Sequence, residues 1–144
     1  MNRCVSLVLI WMIAVTVAFA GSPIGFWTTE NKEANFEIYE KDGKLFGKII
    51  YLKEPNYEGG PKIDYNNPDP SKRNDPIIGL VFLKDFIPAA GTSGLWEKGT
   101  VYDPHNGKTY SSFLRLKDDD TITVRGFIGI SLIGRSQVWT RVKQ

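Results

Sequence analysis

Asp64, Asn67, Asp69 and Arg73 lie close together in a proline-rich stretch, and Asp103 follows further on in VYDPHNG. Carboxyl groups whose pKa values are pushed apart can act as acid and base. With Arg73 beside them, this set could support a hydrolase-like reaction. The same residue types also hydrogen-bond their own backbone in turns, so a self-capped polar loop is the structural alternative. A second cluster brackets RGFIGISLIGR, residues 125 to 135. If that segment is a hairpin centred on Ile130, Arg125 faces Arg135. Like charges directly opposite destabilise a sheet unless something neutralises them. The neutralising group would be Asp64, Asp69 or Asp103, or the anionic headgroup of a ligand. Gln137 shares a face with Arg135 by period-two alternation. Trp96, Tyr102 and Tyr110 would line the same cavity and contact an apolar ligand tail, although aromatic residues also suit ordinary strand packing.

Several other motifs fail on spacing. Gly107-Lys108-Thr109 resembles the end of a phosphate-binding loop, but the glycine required five residues earlier is Tyr102. The glycines at 126, 129 and 134 do not fit G-x-G-x-x-G. Asp64 to Asp69 lacks the glycine and the acidic or amide ligand that a calcium loop needs at those offsets. His105 is the single histidine; with no second histidine and no cysteine in the body of the chain, no zinc site of the usual ligand types is expected. No serine stands in a nucleophile-elbow context. The residues therefore assign no catalytic group, no metal and no cofactor.

The formal charge is +2 over 144 residues, with acidic and basic residues interleaved. A nucleic-acid partner would call for a basic patch or stripe, and none is present. The N-terminus reads as an export signal over residues 1–20: Arg3, then an apolar run ending Ala18-Phe19-Ala20. That run is shorter than the ~20 residues of a spanning helix. The expected product is a single domain over 21–144, with no membrane span after cleavage, located in the periplasm or outside the cell. The one cysteine, Cys4, falls inside the signal. An exported domain without disulfides suits a bacterial setting.

Short alternating segments must position these groups, because helical periodicity is scarce. GFWTT (25–29) is short and aromatic. NFEIYEK (35–41) and KLFGKIIYL (44–52) flank Asp42-Gly43, a pair suited to a type I′ hairpin. Residues 54–76 then carry five prolines and two glycines, which excludes a central strand or a helix interior. So long a connection in a compact domain is expected to be a functional lid or rim. Residues 77–86 form a nearly continuous apolar run that periodicity leaves open between helix and buried strand; it is read as a strand, or a strand with a short helical end. Residues 95–103, 108–117, 121–127 and 135–142 complete about eight short strands with regular turn signals, the pattern of an all-β barrel or sandwich.

Gly25-Phe26-Trp27 near the start and Trp139-Thr140-Arg141 near the end resemble the calycin signature, in which an arginine from the last strand covers a first-strand tryptophan. Stacking a guanidinium on an indole would plug one end of a barrel. Trp27, Trp139 and Arg141 are thus read as structural. A more specific resemblance spans almost all of residues 21–144. GFWTT, FEIYEKDGKLFGKIIYLKEP, NPDPSKRNDPIIGL, LWEKGTVYDPHNGKTY and VRGFIGISLIGRSQVWTRV are similar, in order, to the bacterial domain-of-unknown-function family numbered 2147. The resemblance implies an exported, lipocalin-like (calycin) eight-stranded antiparallel barrel, in which the proline-rich segment would form the long loop between strands three and four. It implies no reaction. The expected function is binding of a small hydrophobic or amphipathic, or anionic, molecule by Arg125, Arg135, Gln137, Trp96, Tyr102, Tyr110, Asp64, Asn67, Asp69, Arg73 and Asp103. The alternatives are a hydrolase-like enzyme using the 64–76 loop, and a filled barrel serving an envelope-interaction role.

Overall fold

A computed structural model of the protein describes residues 21–128 and 130–143, the side chains of 127–135 excepted. The expected export signal, residues 1–20, lies outside the described residues. The strands in chain order are β1 (Gly25–Thr29), β2 (Ala34–Lys41), β3 (Lys44–Leu52), β4 (Asn56–Tyr57), β5 (Gly60–Pro61), β6 (Val81–Pro88), β7 (Leu95–Asp103), β8 (Lys108–Asp118), β9 (Thr121–Ile128) and β10 (Ile130–Arg141). Eight of them close into a barrel in the order β1-β10-β9-β8-β7-β6-β3-β2, and β4 and β5 form a separate small hairpin. Every pairing in the barrel is antiparallel. Closure leaves no open sheet edge around most of the wall, which removes the usual liability of edge strands.

Local chemistry sets the β2–β3 hairpin. Asp42 (φ 52°) and Gly43 (φ 75°) both take positive φ between β2 and β3, as a type I′ turn demands. Alternation then sends one face inward on each strand. Phe36 and Ile38 on β2, Leu114 and Leu116 on β8, and Ile122 and Val124 on β9 are buried in one core with Trp27 and Trp139.

Two large inward side chains come from β6. Leu83 lies opposite Gly47 of β3, where an added Cβ would stand 2.7 Å from Leu83 Cδ1. The Phe86 ring occupies the space that a Cβ on Gly99 of β7 would take. Glycines on both neighbours thus make the notches that admit the two large residues. Asp85 (φ 63°) and Lys98 (φ 59°), in strands whose registers shift, bend the wall there, as bulges do.

Two strands differ from the sequence expectation. β6 begins at Val81, not Ile77. Ile77–Leu80 instead return the long loop: Ile77 N donates to Lys62 O, and Gly79 N, with φ +95° at Gly79, donates to Ile49 O. β10 begins at Ile130, not Arg135. In the β9–β10 pair, Ile130 lies opposite Ile128 but Gly134 lies opposite Phe127. The extra β10 residues set Arg125 opposite Ser136, and Arg135 opposite Gly126. Arg125 and Arg135 are therefore not a facing pair. A one-residue offset moves a side chain to the other face, and the expected two-arginine clamp loses its basis.

The chain direction defines two ends. The lower end holds residues 22–24, the β2–β3 turn, the β6–β7 loop, the β8–β9 turn and Arg141. The upper end holds the β1–β2 turn, the long β3–β6 connection, the β7–β8 turn and the β9–β10 connection.

Candidate functional site

The lower end is sealed by one stacked pair. Trp27 is fully buried, and its Nε1 donates to Pro23 O at 2.8 Å. The Arg141 guanidinium carbon lies 4.3 Å from the Trp27 ring centroid. Its nitrogens donate to three carbonyls: Nε to Asp119 O (2.5 Å), Nη1 to Ile24 O (3.0 Å) and Nη2 to Ser22 O (2.7 Å). Gly25 makes the fit feasible. Its φ is +137°, and a Cβ there would stand 2.7 Å from Arg141 Nη1. Arg141 ties the N-terminal segment, β10 and the β8–β9 turn together, and its charge is met by carbonyl dipoles and by the Asp120 carboxylate, 3.9 Å from its Nε.

Above this plug the barrel is packed with side chains. Phe36, Ile38, Leu83, Phe86, Leu114 and Ile122 are all essentially fully buried. Trp139 forms the top of this layer. Its ring meets Phe36 edge-on at 4.1 Å between centroids, and Phe82 at 6.0 Å.

Space opens beyond Trp139. A cavity of about 970 Å³ lies at the upper end, between the β1–β2 turn, the long loop, the β7–β8 turn and β10. Ala34, Leu52, Ile63, Ile77 and Trp139 give it apolar walls. Glu30, Glu33, Glu54, Lys53 and Lys62 stand around it, with Asn31, Asn66 and Gln137. It opens sideways because β1 is short. β1 pairs with β10 only over residues 139–141, so β10 continues upward past the end of its neighbour. Gln137, whose register partner Val124 is buried in the core, is itself exposed there.

The long loop is held over this end by a buried carboxyl. Asp64 is 1 % exposed. One of its oxygens accepts from Tyr102 OH (2.7 Å), the other from Asn67 Nδ2 (2.7 Å). Burial first, then the hydrogen bond to Asp64, then the charges of Asp64 and Asp103 hold the Tyr102 phenol well above its ordinary pKa. Asn66 Nδ2 donates to His105 O (2.9 Å) and Pro104 O (3.3 Å), and Gly107 abuts the Asn66 carbonyl so closely that no Cβ would fit. These contacts pin the loop to the β7–β8 turn.

The residues named from sequence therefore separate into groups. Asp64, Asn67 and Tyr102 meet, as a loop anchor. Asp69 caps the short 3-10 turn Pro70–Lys72, accepting from Ser71 N (3.0 Å) and Ser71 Oγ (2.7 Å). The Ser71 hydroxyl, then its backbone N–H, keep the Asp69 carboxyl below the usual carboxylate range. Arg73 Nε donates to Asn67 O (2.8 Å). Asp103 accepts from His105 N (2.9 Å), with His105 Nδ1 at 3.2 Å. Tyr110 OH accepts from Asn106 Nδ2 (2.8 Å). Gln137 lines the cavity.

Trp96 does not join them. It pairs with Pro88 and Leu114 at the lower end, because β7 begins there. Arg125 lies between buried Val124 and Gly126 in the strand, opposite Ser136, and its carbonyl accepts from Ser112 Oγ (2.5 Å); it is not part of the cavity lining. The Arg135 side chain lies outside the described residues. Sequence reasoning passed over Glu30, Glu33, Lys53, Glu54, Lys62 and Ile63. Each sits in an ordinary polar turn or in the proline-rich connection, and no local spacing marks them as neighbours. Among the described residues there is no cluster of histidine, cysteine and carboxylate side chains able to hold a metal ion, and no helix long and apolar enough to cross a membrane.

The family described as "uncharacterized protein conserved in bacteria" (DUF2147) matches residues 25–141. A solved structure from Helicobacter pylori, described as belonging to the lipocalin family, is similar in fold. The TM-score is 0.73 at 23% identity, covering 85% of this chain and 84% of that one. No curated protein matches the chain.

Proposed function

The chain belongs to DUF2147, the family of uncharacterized proteins conserved in bacteria, and from that premise we propose that it is an exported binding protein that takes a small amphipathic molecule at the upper end of its barrel. The carrying observation is the change of character at Trp139. Below it the lipocalin-like barrel is filled; above it lies a cavity of about 970 Å³ with apolar walls and a charged rim. Ligand sites are commonly concave, mostly apolar spaces of about 300–1,000 Å³ with a few placed polar groups. The apolar part of the ligand rests against Ala34, Leu52 and Trp139, and its polar part meets the rim. The export half of the reading rests on Arg3 and the apolar run ending Ala18-Phe19-Ala20.

The rim favours a neutral or cationic polar group over an anion. Three carboxylates (Glu30, Glu33, Glu54) face two ammonium groups (Lys53, Lys62), and among the described residues none of the five makes an ion pair with another protein side chain. The hydrolase-like alternative would need loop carboxyls free for proton transfer. Asp64, Asp69 and Asp103 are instead engaged in the hydrogen bonds that build the loop and the adjacent turn.

Titration with decanoylcholine below its micelle concentration tests the proposal. Saturable quenching of tryptophan emission is expected, absent in Trp139→Phe. Leu52→Asp should weaken binding at least about tenfold. A non-saturating response, or one that Leu52→Asp leaves unchanged, contradicts the site.

A further inference from the structure

Within that binding reading, we infer that Gln137 selects the ligand's polar group: its side-chain amide N–H donors recognise a neutral acceptor oxygen, an ester or amide carbonyl, attached to the apolar chain. The argument begins at the neighbouring indole. Trp139 Nε1 lies 3.1 Å from Gln137 Oε1. An indole N–H can only donate, so the amide arm it contacts must be the carbonyl. That fixes the flip of the Gln137 side chain, and its –NH₂ arm points away from the indole.

Three observations aim that arm at a ligand. Gln137 lines the cavity beside Trp139 and is exposed. It stands opposite Val124, on the strand face that elsewhere fills the core, where a polar residue has no packing role. Among the described residues its –NH₂ makes no hydrogen bond. A pre-oriented donor next to an apolar wall is the arrangement by which a mostly apolar site fixes orientation. The surrounding charges choose among acceptors. A free carboxylate or phosphate would gain the Gln137 donors and could meet Lys53 or Lys62, but the three carboxylates Glu30, Glu33 and Glu54 outnumber those ammonium groups at the rim. An ester or amide oxygen gains the same donors without repulsion, and a cationic group further out meets the carboxylates.

Matched ten-carbon probes separate these contributions. Decanoylcholine carries an ester carbonyl and a cation, decyltrimethylammonium the cation alone, and decanoate an anion. Decanoylcholine is expected to bind about three- to tenfold more tightly than decyltrimethylammonium, with decanoate weakest. Gln137→Glu keeps an acceptor for Trp139 Nε1 and removes the amide donors. Its added charge acts on both cations alike, so the ratio of their affinities should fall to about one or below. Gln137→Leu should likewise erase the preference. An unchanged ratio in both variants overturns the role of Gln137 while leaving the binding site standing. Decanoate binding as tightly as decanoylcholine overturns the choice of a neutral acceptor. Failure of every probe to bind saturably overturns the binding reading itself, and this inference with it.

Discussion

The two ends of the barrel each carry a tryptophan from the same inward face, and they use it in opposite ways. Trp27 at the lower end is covered by Arg141, whose guanidinium is spent on three carbonyls. Trp139 at the upper end packs on Phe36 and, although only 3 % exposed, borders a cavity. One indole is bonded to a backbone carbonyl, the other to the side chain of Gln137. The difference teaches how one fold can treat its two ends differently. The end whose polar groups are satisfied within the chain holds the barrel shut. The end whose charges face solvent is where the proposed ligand would bind.

Breaking the lower end should cost most. Trp27→Ala removes the largest fully buried side chain and should destabilise the protein by about 3–5 kcal/mol, measured by urea unfolding, with the order of probe affinities unchanged in the folded fraction. Gly99→Ala drives a methyl into the Phe86 ring. The expected loss is about 1–3 kcal/mol from overpacking, again without altered ligand preference. If either variant instead changes selectivity among ten-carbon probes, the separation between the ends fails.

The upper end should respond locally. Tyr102→Phe leaves buried Asp64 short of one donor, at a cost of about 1–3 kcal/mol, with faster proteolysis of residues 62–77 than of the barrel. The pH dependence sharpens this point. The raised phenol pKa means that the fold binds the protonated form preferentially. Its stabilisation is complete below the ordinary tyrosine value of about 10 and is lost as pH rises above it. Wild type should therefore lose stability more steeply than Tyr102→Phe in alkaline denaturation. Asp69 supplies the smallest effect. Its lowered pKa stabilises the 3-10 turn above the ordinary carboxylate range and is lost as pH falls through the depressed value. Asp69→Ala should raise amide exchange at Ser71 and leave the melting temperature nearly unchanged.

Much of the fold was legible because local chemistry decides it. Asp42-Gly43 specifies its turn through two positive φ values, and period-two alternation marks β2, β7, β8 and β9 within a residue or so. The start of β6 was not legible. Ile77 and Ile78 continue the apolar run, but Gly79 and hydrogen bonds to Ile49 and Lys62, distant in sequence, assign them to the loop. The Arg125–Arg135 pairing failed for a similar reason. Hairpin symmetry in sequence says nothing of the extra residues that β10 inserts between Ile130 and Gly134. Of the site, Gln137 was reached by alternation along β10, whereas Trp96 was set at the wrong end. Glu30, Glu33, Glu54 and Lys62 went unnoticed, because three connections distant in sequence assemble the cavity and none has a distinctive pattern of its own.

The most direct measurement is the response of the indole N–H resonances in a nitrogen-15 spectrum titrated with decanoylcholine. Trp27 is bonded to Pro23 O and Trp139 to Gln137 Oε1, so each signal reports one end. The account predicts that the Trp139 indole and the Gln137 side-chain amide shift saturably while the Trp27 indole stays fixed. A shift of the Trp27 indole with Trp139 unmoved would contradict it.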